Sequence, residues 1–340
     1  MRLDHSPLPS RRLTAVRLLA RLLAPCLAAL MATTATRADD YPVKPVRLIV
    51  TFTAGGAADL TGRIYAERLA ELWKQQVVVE NRTGGGGAIG ADLVFRAPPD
   101  GYTLLLATNS HVINHVLYDN LAYDYTRDFS PIALVTGAPM VLVAHPSFPA
   151  SDARSLIALL RANPGKFQYT SCNIASAHHF AMEMLKTATH VNAMNIAHRG
   201  CAPAVADTVA GHIPLAATSV PAALSFLTQG RLKAIALLSP ERTPSAPDIP
   251  TMRESGLPEL TGYGTDNYYG FMAPPGTPAA LRSRLEADVL RVAAMPAVRA
   301  KVQSSGLDPI AVRADRMMEM IRADAVRYKA VALASGIRPE

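Results

Sequence analysis

The feature that most restricts the fold of this chain is a regular exchange between short apolar, β-branched runs and longer stretches with helical spacing. "VRLIVTF" (46–52) precedes "DLTGRIYAERLAELW" (59–73), in which Leu60, Ile64, Leu69 and Leu72 fall near a helical period. "QVVVE" (76–80), a helix over 88–97 and "YTLLLA" (102–107) continue the pattern, with "PPDG" (98–101) as a turn. The rhythm resumes with "MVLVAH" (140–145) and with a helix over "SDARSLIALLRANPGK", for which Ser151 is the expected N-cap. "FQYTS", "AMNIAH", "IPLAAT" and "KAIALLS" read as strands, alternating with helices over 176–187, 201–210 and 221–228. One more strand, "YYGFMAP" (268–274), and helices over 278–295 and 315–335 close the chain. Apolar strands joined by helical crossovers predict an α/β fold of parallel sheets with helices on both faces. In open sheets of this kind, ligands bind beyond the carboxyl ends of the strands.

The first 38 residues read as a secretory signal peptide. Arg2, Arg11, Arg12, Arg17 and Arg21 precede an apolar stretch from Leu22 to Ala32, and small residues lead to an expected cut after Ala38. That stretch is too short to span a bilayer, and no later run is long and apolar enough either, so the exported product is expected to be soluble, with no membrane insertion of the mature chain. Residues 1–38 hold six of the 34 Lys and Arg and one of the 27 Asp and Glu, leaving 28 basic against 26 acidic side chains, a net of +2. The basic character of the whole chain therefore belongs mainly to the signal, and no nucleic-acid partner follows from charge. The 302 residues that remain suit two lobes, each with its own core.

Three glycine-rich or polar junctions leave strands and open helices. In "VVVENRTGGGGAIGADL", Gly85, Gly87 and Gly90 satisfy a dinucleotide-type spacing, but "NRTG" separates the strand from it, and no acid ends the next strand where a ribose would need one. No cofactor is expected. In "TFTAGGAADLTGR" (51–63), Gly55 and Gly56 let consecutive N–H groups point outward at a helix start. There, four amides lack intrahelical acceptors and the helix dipole adds positive potential, which suits an anion without a basic side chain. Asp59 is expected to brace that first turn, since a free carboxylate would repel a bound one. An ordinary strand-to-helix turn is the alternative reading. "SCNIASAHHF" (171–180) repeats the arrangement in mid-chain, with Ser171, Asn173 and Ser176 as short polar groups. Two helix entrances, one per lobe, would then face each other across a cleft.

These residues carry a family likeness. The stretch from "YPVKPVRLIVTF" to "GYTLLLAT", together with "YDYTRDFSPIALV", "VLVAHPS", "ANPGKFQYTS", "RGCAPAVADTVAG", "GRLKAIAL", "ERTPSAPDIPTMRESGLP" and "GFMAPPGTP", closely resembles the Bug receptors, the TctC family. These are the substrate-binding proteins of tripartite tricarboxylate transporters, and the likeness covers nearly all of 41–340. The resemblance implies a two-lobed periplasmic binding protein fold of type II, with the ligand cleft between lobes. The implied division is 41–143 with 255–340 for the first lobe and 144–254 for the second. It implies a periplasmic protein, not an enzyme, that closes on a small carboxylate and presents it to a membrane permease. A sensor handing its closed form to a signalling partner, and an exported enzyme using the same cleft, are the alternatives.

Carried over residue by residue, the resemblance assigns Thr53, Ala54, Gly55, Gly56 and Ala57, ended by Asp59, to carboxylate binding through main-chain N–H groups and water. Thr108, Asn109 and Ser110 match a second contact loop of the first lobe. In the second lobe the usual S-x-G-N-G-[ST]-x-x-H run reads Ser171, Cys172, Asn173, Ile174, Ala175, Ser176, Ala177, His178, His179, with His179 on the family histidine. Arg199 and Gly200 stand where Tyr-Lys-Gly is common, and Thr218 replaces an acid. Gly84 to Gly87 match a loop that shapes the lobe. Thr51 and Ala54 replace prolines. Ile174 in place of an amide and Thr218 in place of an acid predict a ligand end that is less polar or additionally anionic, on an acid with an apolar or aromatic body. Arg199 has the chemistry to take a second carboxylate bidentately, with an exposed, unengaged arginine as the alternative. In the family layout Cys172 and Cys201 each lie at a pocket-side loop, where an oxidising compartment permits a disulfide, with two free thiols as the alternative. His111 with His115, and His179 with Glu183, have i, i+4 spacing but no third ligand at motif distance, so no metal is expected.

Overall fold

The protein is described from a computed structural model, for residues 41–174 and 176–337. The expected signal peptide and Ala175 lie outside the described residues. Contacts divide the chain into Met1–Tyr41 and Pro42–Glu340, and all the strands and helices named below belong to the second unit. None of its described helices is long and apolar enough to cross a membrane.

Two sheets organise this unit. The first runs β11-β4-β10-β3-β1-β2 and the second β7-β6-β8-β5-β9. In the first, β1 (Val46–Val50), β2 (Val77–Asn81) and β3 (Thr103–Thr108) are parallel, as the alternating pattern predicts. The helices between them are α1 (Ala57–Trp73) and α2 (Ala88–Phe95), and α3 (Asn109–Leu117) leaves β3 directly. Helix α1 buries Ile64 and Leu69 of the expected stripe together with Tyr65 and Trp73, while Leu60 and Leu72 are half-buried. Strand β3 is buried along its whole length, as is β10 (Asn267–Ala273).

The sheets are not purely parallel. Strand β10 runs antiparallel to β3 and to β4 (Ser130–Ala138), and β11 (Asp308–Arg313) runs antiparallel to β4. In the second sheet β6 (Gln168–Ser171) is parallel to β7 (Met194–Ala197) and β8 (Leu215–Ser219), while β5 (Met140–Ala144) is antiparallel to β8 and β9 (Lys233–Leu237). Parallel neighbours need a helical crossover. The chain passes from β4 to β5 through Pro139 alone and so enters the second sheet without one. It returns to the first sheet as β10.

The second sheet carries α4 (Ala153–Ala162), α5 (Ala177–Thr189), α6 (Cys201–Val209) and α7 (Val220–Thr228). After β10 come α8 (Ala279–Ala294), α9 (Pro296–Ser304) and α10 (Ala314–Ser335). Helix α10 ties the sheets together. Tyr328 packs edge-on against Phe180 of α5 at 5.6 Å, and its hydroxyl accepts from Asn109 Nδ2 at 3.0 Å. One buried apolar cluster therefore runs from Ile49 and Leu105 of the first sheet to Leu142 and Tyr169 of the second.

The N-cap of α4 is Asp152, not Ser151. Its Oδ1 accepts from Ser155 N at 2.8 Å, and the Ser155 hydroxyl oxygen accepts from Asp152 N at 3.2 Å, a reciprocal box one residue beyond the expected cap. Asp152→Ala should therefore cost about 1 kcal/mol of stability, and Ser151→Ala less than about 0.5 kcal/mol, as read by urea denaturation.

Candidate functional site

Four strand-to-helix junctions converge between the sheets. The first runs from Thr51 to Gly56, the N-cap of α1, which has no side-chain cap. Asp59 holds it from beneath. Its Oδ2 accepts from Gly55 N at 3.0 Å and Arg63 Nε at 2.9 Å, and its Oδ1 accepts from Asn81 Nδ2 at 3.0 Å. Burial raises the Asp59 carboxyl, but these donors outweigh it and leave the group below the ordinary carboxylate value. It is therefore an anion already satisfied inside the loop.

The second junction joins β3 to α3. Thr108 N donates to His111 Nδ1 at 3.3 Å, so the His111 Nε2–H is left to donate to Thr51 Oγ1 at 3.0 Å. His111 thus locks the second junction to the first. Burial pushes its imidazole down to about 3 and keeps it neutral. The third joins β6 to α5, where Ser176 caps the helix, accepting from His179 N at 3.2 Å and donating to Asn173 O at 2.8 Å. The fourth joins β7 to α6. A disulfide between Cys172 and Cys201 ties it to the third, and Gly200 N donates to Cys172 O at 2.6 Å.

The junctions of the two sheets meet at Thr53 and Gly200. Gly200 has φ 128°, and a Cβ placed there would fall 2.7 Å from Thr53 Oγ1. Only glycine permits both that backbone conformation and that approach.

Two chambers result, with Phe52, Thr53 and Gly200 in the walls of both. The inner one has a volume of about 40 Å³ and is lined by Thr53, Gly56, Ala57 and Ala58, by Thr108 and Ser110, and by Cys172, Ser176, His178, Gly200 and Cys201. Asn267 and Tyr269 of β10 complete it, the Asn267 amide donating to the Tyr269 hydroxyl at 3.0 Å. Among the described residues, no Asp, Glu, Lys or Arg lines this chamber. His178 is buried, and that burial pushes its imidazole down to about 4, so it too is neutral near pH 7. The outer chamber, about 460 Å³, shares Phe52, Thr53 and Gly200 with the inner one and adds Thr83, Tyr118, Asn173, Ile174, Arg199 and the Gly84–Gly86 turn. The first amides of α1 have no intrahelical acceptors, so the inner chamber presents main-chain donors and the positive end of a dipole where no formal charge exists.

The expected site residues divide sharply. Thr53, Gly56, Ala57, Thr108, Ser110, Cys172, Ser176 and Gly200 line the inner chamber, and Asn173, Ile174 and Arg199 the outer one. Others fall on neither wall. Ala54 and Gly55 lie outside both, the Gly55 amide being spent on Asp59. Asn109 is buried and donates to Asp266 O at 2.8 Å and to Tyr328. Ser171 donates to Asn173 O at 3.3 Å, and Thr218 sits behind the disulfide, its Oγ1 3.9 Å from Cys172 Sγ. His179 lines a separate groove with Glu183, its Nε2 3.6 Å from Glu183 Oε1; its neighbour His178 occupies the cleft. Sequence reading overlooked Phe52, Ala58, His178, Asn267 and Tyr269. The period-two alternation of "NYYGFMA" was the available signal for the last two.

The dinucleotide spacing has a packing explanation. A Cβ on Gly90 would fall 2.7 Å from Arg82 O, one on Gly87 (φ 108°) would fall 3.1 Å from Thr51 Oγ1, and Gly85 has φ 55°. Among the described residues neither histidine pair belongs to a close group of three metal-type side chains. Among the described residues the one close metal-type trio is Cys172, His178 and Cys201, and its two sulfurs are bonded to each other.

Two outcomes are expected from this geometry. The disulfide closes a loop of sequence separation 29, so its reduction should cost about 3–4 kcal/mol in the chain-entropy account, and the unreduced mature chain should resist alkylation. For His178, the unfolded chain takes up a proton as pH falls through 6.5 while the folded chain, held near 4, does not. Its contribution to stability is therefore complete above pH 6.5 and declines between there and about 4. Denaturation of the parent and of His178→Gln at pH 7 and pH 5 should show the smaller loss in the variant, by up to about 1.4 kcal/mol per pH unit.

Comparison with known proteins agrees with this architecture. The family described as tripartite tricarboxylate transporter family receptor matches residues 61–337. A relative from Pseudomonas sp. strain P51, the UPF0065 protein in the tcbD-tcbE intergenic region, is 33% identical over 89% of this chain and 90% of its own. Among solved structures, R. palustris Rpa4515 with adipate superimposes with a TM-score of 0.82 at 30% identity, over 88% of this chain and 100% of the other. The periplasmic binding protein BugD gives 0.80 at 30%, with the same coverage. The neutral cleft between two α/β sheets is thus that of a transport receptor, and the chain belongs to the periplasmic receptor family of the tripartite tricarboxylate transporters.

Proposed function

We propose that this receptor takes an organic acid by its carboxylate in the inner chamber and carries it to a membrane permease of the tripartite type. The observation that carries the reading is the lining of that chamber. It joins the first residues of α1 and α5, from opposite sheets, with no Asp, Glu, Lys or Arg among the described residues that line it. A carboxylate there meets unpaired N–H groups and two helix starts of favourable sign. A volume of about 40 Å³ suits a group of a few heavy atoms, leaving the ligand's body to the outer chamber. Adipate, bound by a related receptor, fits that division and is a suitable first probe.

The sheets are proposed to act as two lobes, hinged where the chain crosses between them. One crossing is at Pro139 and the other lies between Leu238 and Thr265. They run side by side, Leu238 N donating to Met140 O at 2.8 Å and Thr265 N to Leu238 O at 3.0 Å. Both crossings lie near the limits 143 and 254 expected for the lobes, which supports this reading of the hinge. Ligand bridging both lobes would shift the population toward the closed form.

A panel of organic acids screened by thermal shift tests the reading. A bound acid at 100 times its dissociation constant should add about 2.7 kcal/mol of stability and be recovered chemically unchanged. Gly200→Ala, which sets a methyl against Thr53, should weaken that acid by about tenfold or more. A panel in which only uncharged solutes or free bases bound would reject it.

A further inference from the structure

We propose that Cys172, His178 and Cys201 form a redox-gated site for one thiophilic metal ion, closed while the two sulfurs are bonded to each other and opened when that bond is reduced. The inference goes beyond the carboxylate reading and does not depend on it.

The three side chains come from two junctions of the second sheet. Cys172 follows β6, His178 lies in the first turn of α5, and Cys201 opens α6. Their ligand atoms all lie within 4.8 Å of one another. His178 Nε2 is 4.0 Å from Cys201 Sγ, and the buried Nδ1 has no hydrogen-bond partner. Among the described residues, no group but that sulfur therefore holds the ring. Two thiolates and one imidazole are a donor set of zinc. Bonds of about 2.3 Å to sulfur and about 2.0 Å to nitrogen set tetrahedral ligand atoms about 3.5–3.8 Å apart. Nε2 is already near that spacing from Cys201, and the sulfurs are free to reach it once they are no longer bonded.

The backbone is braced without the disulfide. Gly200 N donates to Cys172 O at 2.6 Å and His198 N to Ser171 O at 3.1 Å, while the Ser176 hydroxyl caps α5 by accepting from His179 N at 3.2 Å. The ligands thus stay adjacent when the sulfur bond is cut. All three line the inner chamber, where no Asp, Glu, Lys or Arg among the described residues competes for the ion or repels it. With three protein ligands, the ion keeps a fourth position open toward that chamber.

The gating step balances with a dithiol as reductant. Cys201 is half-buried and Cys172 buried, so the dithiol attacks the Cys201 sulfur. The Cys172–Cys201 bond breaks, both sulfurs end as thiols, and the dithiol gives up two electrons and two protons and departs as a cyclic disulfide. A divalent ion then displaces the two thiol protons to solvent and takes the Nε2 lone pair.

The test compares the disulfide form of the mature chain with a form reduced under nitrogen by a trialkylphosphine, which leaves as its oxide and adds no thiol. Each is titrated with Co²⁺, and then with Zn²⁺ against a competing chelator. The reduced chain should bind one equivalent, with sulfur-to-cobalt charge-transfer bands and the intense visible bands of a tetrahedral ion. It should bind at least about 100-fold more tightly than the disulfide form. His178→Gln should weaken the reduced site by about 10- to 100-fold, while His212→Gln, at an exposed position, should leave it within about twofold. Zn²⁺ should also raise the urea midpoint of the reduced chain but not of the disulfide form, a comparison that reads the site even where reduction alone loosens the fold. Equal affinity of the two redox forms, unchanged affinity in His178→Gln, or a reduced chain that binds no ion and gains no stability from Zn²⁺ would overturn the site. Each of these leaves carboxylate capture intact, since thermal shift with organic acids on the disulfide form reads it separately.

Discussion

The proposed capture depends on main-chain N–H groups at helix starts, beside a chamber that no Asp, Glu, Lys or Arg lines among the described residues. Water solvates such amides in an open cleft. In a closed one they need another partner, and a carboxylate supplies two acceptor oxygens and the sign of charge that the helix dipole favours. The surrounding residues keep this arrangement neutral. Asp59 is buried, but its oxygens are consumed by Gly55, Arg63 and Asn81. His111 and His178 are pushed by burial well below neutral pH. Capture by uncharged donors costs less desolvation than burying an ion pair and leaves the ligand easier to release.

The same constraint explains the rigidity of the junctions. Each donor must keep its place within a few tenths of an ångström, so each loop is cross-braced. His111 ties the Thr51 junction to Thr108. The disulfide ties the two junctions of the second sheet, and Gly200 brings one of them within reach of Thr53. In the proposed reading, the ligand's body meets the outer chamber, whose wall shares Phe52, Thr53 and Gly200 with the inner one. Arg199 and Ile174 sit there.

Much of the fold was legible because apolar periodicity reports burial directly. Strands β1, β2, β3, β5, β6 and β8 and most helices lie within a few residues of their expected limits. Strands β4 and β11 were not identified. Strand β11, "DPIAVR", is a half-exposed edge whose pattern is diluted, and β4 opens at a Ser-Pro pair. Strand direction was misjudged because periodicity does not say whether a helix or a single proline joins two strands. At the candidate site, glycine and short polar residues marked junctions that line the two chambers. The side chains that point inward, as opposed to bracing from behind, depend on rotation about a helix or strand. Hence His178 replaced His179, and Asn109 and Thr218 turned out to be supports.

The central claim is most directly tested by backbone amide NMR on an isotope-labelled mature chain, titrated with the tightest-binding acid. The amides of Gly56, Ala57 and Ala58 should move together and saturate with the calorimetric isotherm, with slowed hydrogen exchange at the same positions. Saturable binding that left those amides unmoved, with the shifts confined to charged side chains elsewhere, would contradict the account.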